Sequence, residues 1–160
     1  MNAQNYTQKS LQAIQAAQQL TIQNQNQQIE QVHLLSALLQ QDGGLVPQLL
    51  KKMGISVESL DAAVTAEVNK LPRVTGSGRE ADRFYVSRQV DEALTKSEEL
   101  AKSMKDDFVS VEHLLLALMR EREGVAAHVL IKMGVDLSKA REELLRILSG
   151  SDDSSANHEG

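Results

Sequence analysis

Cysteine is absent from the 160 residues, which excludes disulfide cross-links, thiolate metal sites and a cysteine nucleophile together. Tryptophan is absent too, and the aromatic set is Tyr6, Phe84, Tyr85 and Phe108. So few rings cannot build the stacking platform that grips single-stranded nucleic acid. No apolar run approaches the roughly 20 residues of a membrane-spanning helix. Nor does a basic stretch followed by an apolar one open the chain, so no secretory leader is expected. Seventeen Lys and Arg stand against 22 Asp and Glu, a net charge of −5, a sign that argues against bulk attraction to nucleic acid. Asp152, Asp153 and Glu159 carry three of those negatives, leaving the preceding body near −2. A chain of this length buries roughly 68–70% of its unfolded surface. The expectation is one soluble, intracellular, helical domain that folds without staples.

What is present is a duplication. Sliding the chain over itself by 80 residues lays Val32-His33-Leu34-Leu35-Ser36-Ala37-Leu38 on Glu112-His113-Leu114-Leu115-Leu116-Ala117-Leu118. Lys52-Met53-Gly54-Ile55 falls on Lys132-Met133-Gly134-Val135, and Gly44, Leu50, Leu20 and Ala13 fall on Gly124, Leu130, Leu100 and Ala93. Identity at scattered core and cap positions, with free variation between, marks a repeated structural unit.

Each repeat reads as four helices. Leu11, Ile14, Ala17 and Leu20 recur at three- and four-residue spacing and predict an amphipathic helix from about Thr7. A second helix carries Leu34, Leu35, Leu38 and Leu39 on one face and ends at Gly43-Gly44. A third runs from Leu45 to Met53. Gly54 followed by apolar Ile55 fits a glycine C-cap with its hydrophobic contact, and Ser56 caps a fourth helix striped by Val57, Leu60, Val64 and Val68. In the second repeat Ser87 opens a helix to roughly Lys105, Ser110 and Asp136 cap two more, and Gly124 and Gly134 punctuate. No window alternates with period two, so no strand is expected. The predicted organisation is repeat one over about 6–71, a connector over 72–86 broken by Pro72, Gly76 and Gly78, and repeat two over about 87–149. Residues 150–160 read as a disordered linker.

No chemistry-bearing constellation emerges. Lys9, Lys96 and Lys102 each precede a serine, but no glycine run leads into any of them, so a phosphate-cradling loop is excluded. His33 and His113 occupy equivalent repeat positions inside leucine-rich helices. They read as structural histidines whose rings bond nearby groups, since metal spacing such as His-x-x-x-His is missing. His128 belongs to an exposed helix face, and His158 to the tail. No nucleophile elbow offers a Ser/His/Asp grouping. The pattern is that of a binding module, not an enzyme. Differences between the repeats point to where it binds: Glu112 replaces Val32, and Asp106-Asp107-Phe108 replaces Asn26-Gln27-Gln28. Either these carboxylates form a recognition edge, or Glu112 simply favours the dipole of its helix's first turn.

Residues Thr7 to about Gly150 resemble the amino-terminal domain of the Clp family of AAA+ protein unfoldases. The Glu112–Leu118 run, its degenerate copy at Val32–Leu38, and the Gly124–Val135 segment carry the resemblance. Ile29-Glu30 leading into His33–Leu39, Gly43-Gly44, and the Leu71-Pro72-x-Val74-x-Gly76-x-Gly78 connector resemble the ClpB branch, while Val32 and Ser36 depart from the ClpC pattern. The resemblance implies an all-α fold, two tandem four-helix Clp repeats packed as one pseudo-twofold globular domain. It implies a client-recognition domain of an ATP-dependent protein disaggregase, with no cofactor of its own. ATP and magnesium would belong to hexameric ATPase modules outside this stretch, and the fragment itself would be monomeric. The clients would be unfolded or aggregated proteins, handled in the cytoplasm under stress together with a DnaK-type chaperone system. By the same resemblance the binding surface comprises Thr7, Asp106 and Glu112 beside an apolar groove at Leu94 and Leu100, with His113 where relatives often have an apolar residue. The alternatives are an adaptor- and substrate-docking domain of a ClpC-type unfoldase feeding a protease, and a stand-alone Clp-repeat protein.

Overall fold

A computed structural model describes residues 1–74 and 85–150. Gly76, Gly78, Phe84 and the tail with His158 lie outside the described residues. Eight α-helices follow a 3-10 turn at Ala3–Asn5: α1 Gln8–Gln23, α2 Gln31–Leu39, α3 Leu45–Lys52, α4 Val57–Asn69, α5 Arg88–Ser103, α6 Val111–Arg120, α7 Val125–Lys132 and α8 Leu137–Ser149. Among the described residues no strand forms, and three isolated β-bridges are the only extended pairing.

Two helices make the centre. All nine residues of α2 and the nine from Val111 to Met119 of α6 are buried. α2 therefore has no solvent face, contrary to the one-sided stripe expected of it. Its six apolar residues cover most of its circumference, and its polar Gln31, His33 and Ser36 are each hydrogen-bonded, so the whole helix can lie inside. The two pack on each other, α2 also against α1, α4 and α7, and α6 also against α5, α7 and α8. α1 differs from expectation by about one position. Its fully buried edge is Ser10, Ala13, Ala17 and Thr21, with Leu11 and Ile14 only partly covered. Small side chains on that edge bring α1 close against α2, and the larger ones seal the margins.

Cap chemistry sets the element ends. Thr7, Ser56, Ser87 and Asp136 each accept a hydrogen bond from the backbone N–H three residues on, satisfying a donor the helix cannot. At Gly54 the chain turns left-handed (φ +81°). Ile55 N–H then reaches Leu50 O at 2.9 Å and Gly54 N–H reaches Lys51 O at 2.9 Å, the paired bonds of a Schellman motif. Gly134 (φ +91°) repeats it, with Val135 N–H on Leu130 O and Gly134 N–H on Ile131 O.

The repeats are hooked together reciprocally. Thr7 N–H donates to Val109 O (2.9 Å), and Val109 N–H to Asn5 O (2.8 Å). Eighty residues on, Ser87 N–H donates to Ile29 O (2.9 Å), and Ile29 N–H to Tyr85 O (2.8 Å). The lead-in of each repeat is thus bonded to the helix–helix loop of the other. The connector is pinned on its near side as well, by Val74 N–H on Gln25 O (2.8 Å) and Asn26 Nδ2–H on Pro72 O (3.2 Å).

Candidate functional site

The loops ahead of α2 and α6 share one backbone. Gln25 and Lys105 both adopt positive φ (57° and 60°), and the next residue's N–H turns back to Thr21 O in one repeat and Ala101 O in the other. That places Asn26 and Asp106 in front of the histidines. Glu30 N–H donates to His33 Nδ1 (2.8 Å) and Ser110 N–H to His113 Nδ1 (2.9 Å), so histidine completes a capping box usually closed by Glu or Gln. An Nδ1 that accepts a backbone N–H leaves the proton on Nε2. His33 Nε2–H therefore faces Asn26 Oδ1 (2.8 Å), and His113 Nε2–H faces Asp106 Oδ2 (2.8 Å). Both rings are fully buried and fully engaged, as a structural role requires.

This geometry redistributes the five residues implied by the resemblance. Thr7 is the N-cap of α1, partly exposed, and joined to Val109 of the α5–α6 loop. Asp106 lies in that same loop, but its carboxylate is 14% exposed and turned onto His113. Glu112 does not stand on a rim: it is 0% exposed, because it occupies the first turn of a helix whose every face is packed. Leu94 belongs to the core at 6% exposure. Leu100 is half-buried and borders a shallow surface cavity of about 220 Å³ with Lys96, Glu99, Ser103 and Arg120. Thr7 and Asp106 are thus brought to one loop, with Glu112 and Leu94 behind it in the core. Tyr6 fastens the arrangement, its hydroxyl donating to Glu98 of α5. Burial, and then that hydrogen bond, push the Tyr6 hydroxyl above its usual range.

Asn26 was missed as a partner of His33, although it lies 80 residues before Asp106. Gln31 was missed too. From α2 it accepts Ala126 N–H on Oε1 (3.3 Å), capping α7 of the other repeat, and donates from Nε2 to Glu121 (2.7 Å). Its only signal is negative, a polar residue beginning an apolar helix. Burial, then Glu92, push Glu121 above the usual carboxylate range, with Lys96 and the Gln31 hydrogen bond opposing.

The open surface holds shallow hollows. One of about 410 Å³ lies between the repeats, bordered by Gln28, Gln31, Lys70, Leu71 and Val125. Another of about 240 Å³ has Leu116, Met119 and Leu137 in its lining, with Arg120, Arg122 and Arg141. Among the described residues no group of three His, Cys, Asp or Glu is placed to hold a metal.

The family model described as "Clp repeat (R) N-terminal domain" matches residues 5–133 and again 112–159. The chaperone protein ClpB of Clostridium perfringens (strain 13 / Type A) is 30% identical over 150 residues, covering 93% of this chain and 17% of that protein. The chain spans about one sixth of the length of the curated relatives it matches. The Hsp104 N-terminal domain from Candida albicans superposes with a TM-score of 0.83 at 20% identity, covering 98% of this chain and 99% of that one. A ClpV N-domain in complex with a VipB peptide superposes with a TM-score of 0.67 at 21% identity, covering 94% and 91%. A duplicated eight-helix fold and a family match along most of its length place the chain in the Clp repeat N-terminal domain family.

Proposed function

We propose that this domain is the client-recognition module of a ClpB-type, ATP-dependent disaggregase, binding apolar segments of unfolded or aggregated proteins. The observation that carries the reading is the similarity to ClpB across 93% of the chain. Shallow, open hollows on a well-packed scaffold support it, since weak capture of many extended segments needs adaptable surface rather than a deep pocket. Thr7 and Leu100 retain surface for contact with a client, whereas Asp106 and Glu112 act by fixing the loop and helix behind them. Leu94 acts from the core in the same way. In the full-length protein this module is tethered to hexameric ATPase modules that use ATP and magnesium, in the cytoplasm, alongside a DnaK-type system.

The printed description of the ClpV N-domain as a complex with a VipB peptide favours a second reading, docking of one dedicated partner peptide. One titration separates them. Amide spectra of the domain are followed while a reduced, alkylated and permanently unfolded protein is added. Shifts at Thr7, the 105–109 loop and Leu100 are expected. A domain whose spectrum stays unchanged at millimolar client is not a general client binder.

A further inference from the structure

The hollow between the C-terminal end of α6 and the start of α8 has an apolar floor and a basic rim. Leu116, Met119 and Leu137 are 1%, 4% and 8% exposed. Arg120, Arg122 and Arg141 are all exposed above them. Among the described residues no carboxylate lies within 4.0 Å of these three guanidinium groups, while Arg88 and Arg146 are both paired. No acidic residue lines the hollow. Three such arginines ring one depression on a chain of net charge −5, while Glu92, Glu121 and Glu123 face the adjoining hollow that Arg120 and Arg122 also border.

The other repeat supplies the control. Eighty residues earlier, Arg120, Arg122 and Arg141 become Gln40, Asp42 and Asp61, and the floor residue Leu116 becomes Ser36. The helices there are the same, so the fold does not require arginine at these places. Within the hollow's lining, the three positions that turn basic in the second repeat lie at the rim, and the floor residue that turns from polar to apolar lies beneath them. Arginine suits the purpose, because its planar fork takes a carboxylate through two parallel hydrogen bonds.

We propose that this hollow takes an extended protein segment in which an apolar residue is flanked by carboxylates. The inference rests on the client-binding reading above and adds to it a second contact surface, separate from the one at Thr7, the 105–109 loop and Leu100, with a substrate class of its own. The apolar residue covers the leucine and methionine floor, and the flanking Asp or Glu side chains meet the arginines. Repeat one, with acidic residues at the matching places, repels the same segment.

Three synthetic peptides with one Leu-Val-Phe core test it, flanked by Asp-Glu, by Lys-Lys or by Ser-Gln, titrated into the domain at low and high salt. The acidic-flanked peptide is expected to bind about tenfold tighter than the lysine-flanked one, the sum of several modest surface pairs. That advantage should shrink at 0.5 M salt, because such pairs are screened, and amide shifts should centre on Ser138 and Arg141. Arg122→Glu/Arg141→Glu, both exposed and checked for an unchanged melting temperature, should invert the preference. Asp42→Arg/Asp61→Arg should leave the parent hollow's affinity unaltered. Equal binding of all three peptides, or shifts centred elsewhere, overturns the hollow as the site while leaving general client binding standing. Binding of none overturns both.

Discussion

The two repeats have one backbone plan and two sets of polar partners. The left-handed residues Gln25 and Lys105, the glycine caps Gly54 and Gly134, and the reciprocal hooks recur at an offset of 80, while the positive φ of Gly43 has no counterpart at Glu123. Yet the buried histidine meets a neutral amide in the first repeat and a carboxylate in the second. The lesson is that the fold is specified by backbone hydrogen bonds and apolar volume, which both repeats satisfy alike. What distinguishes the repeats lies mostly in polar side chains: Asn26 against Asp106, Gln41 against Glu121, Gln31, which caps α7 of the other repeat, against Val111, and the rim of the arginine hollow against its acidic counterpart.

The most drastic way to break the comparison is to remove one half. A chain ending at Lys70 loses α6, against which α2 packs, and Val109, the partner of Thr7. It is expected to bind apolar dyes and to melt without a cooperative transition. A sharp calorimetric peak from that half would show that the repeats are independent.

Leucine truncation tests whether the halves share one core. Leu35 and Leu115 are 0% and 1% exposed, so Leu35→Ala and Leu115→Ala should each cost about 2–5 kcal/mol. Denaturant midpoints within experimental error of one another are expected, since either cavity opens in the same packed centre. A difference of more than about 2 kcal/mol between them, at the wide end of that spread, would mean that the repeats contribute unequally.

Gly124 probes a contact only one repeat makes. Its φ is ordinary, but an added Cβ would lie 2.3 Å from Gln31 Oε1. Gly124→Ala should therefore cost about 1–3 kcal/mol through overpacking. In a Gln31→Ala background most of that cost should vanish, because the clashing atom has gone. Additive costs in the double variant would place the strain elsewhere.

Asp106→Asn makes the second histidine's surroundings resemble the first. His113 Nε2–H keeps an oxygen to donate to and loses only the charge on it. A loss of about 1 kcal/mol is expected, the difference between a charge-assisted and a neutral hydrogen bond. Unfolding of the domain by this single change would mean that the carboxylate holds more than His113.

The smallest effect belongs to Glu121→Gln, which installs the residue the first repeat has at Gln41. Burial, chiefly, raises the Glu121 carboxyl above its unfolded range. The folded state thus binds that proton more tightly than the unfolded chain, and stability gains as pH falls through the raised range. Above that range the ionised carboxylate opposes folding, so the glutamine variant should be slightly more stable than the parent at pH 7. The advantage should fade as the pH falls toward 4. A variant whose advantage grew in acid would contradict the sign.

Much of this was legible before any coordinates. Ser56, Ser87 and Asp136 cap helices where local chemistry said they would, a helix begins at Thr7 as its periodicity said, and Gly54 and Gly134 end two more, because caps and left-handed turns are decided within a few residues. The histidines' structural role was legible from the repeat alone. The exposure of Glu112 was not. A carboxylate in a first turn normally faces water, and only the packing of α6 on all sides withdraws it. The one-position shift of the α1 stripe had the same origin, since alanines and a serine govern how closely two helices approach and periodicity weighs them too little. The hooks between lead-in and loop join residues about 60 apart in one case and about 100 apart in the other, separations over which no local pattern carries information.

Those hooks also set an order of events during synthesis. Thr7 leaves the ribosome with its helix able to form at once, yet the carbonyl that fixes its lead-in, on Val109, is 102 residues behind. At typical elongation rates of 5–20 residues per second, that is roughly 5–20 s of waiting. Through that interval α2 has emerged with every face destined for burial and without α6 to cover it. The nascent first repeat is thus itself an exposed apolar segment, a substrate of the kind its finished fold is proposed to recognise.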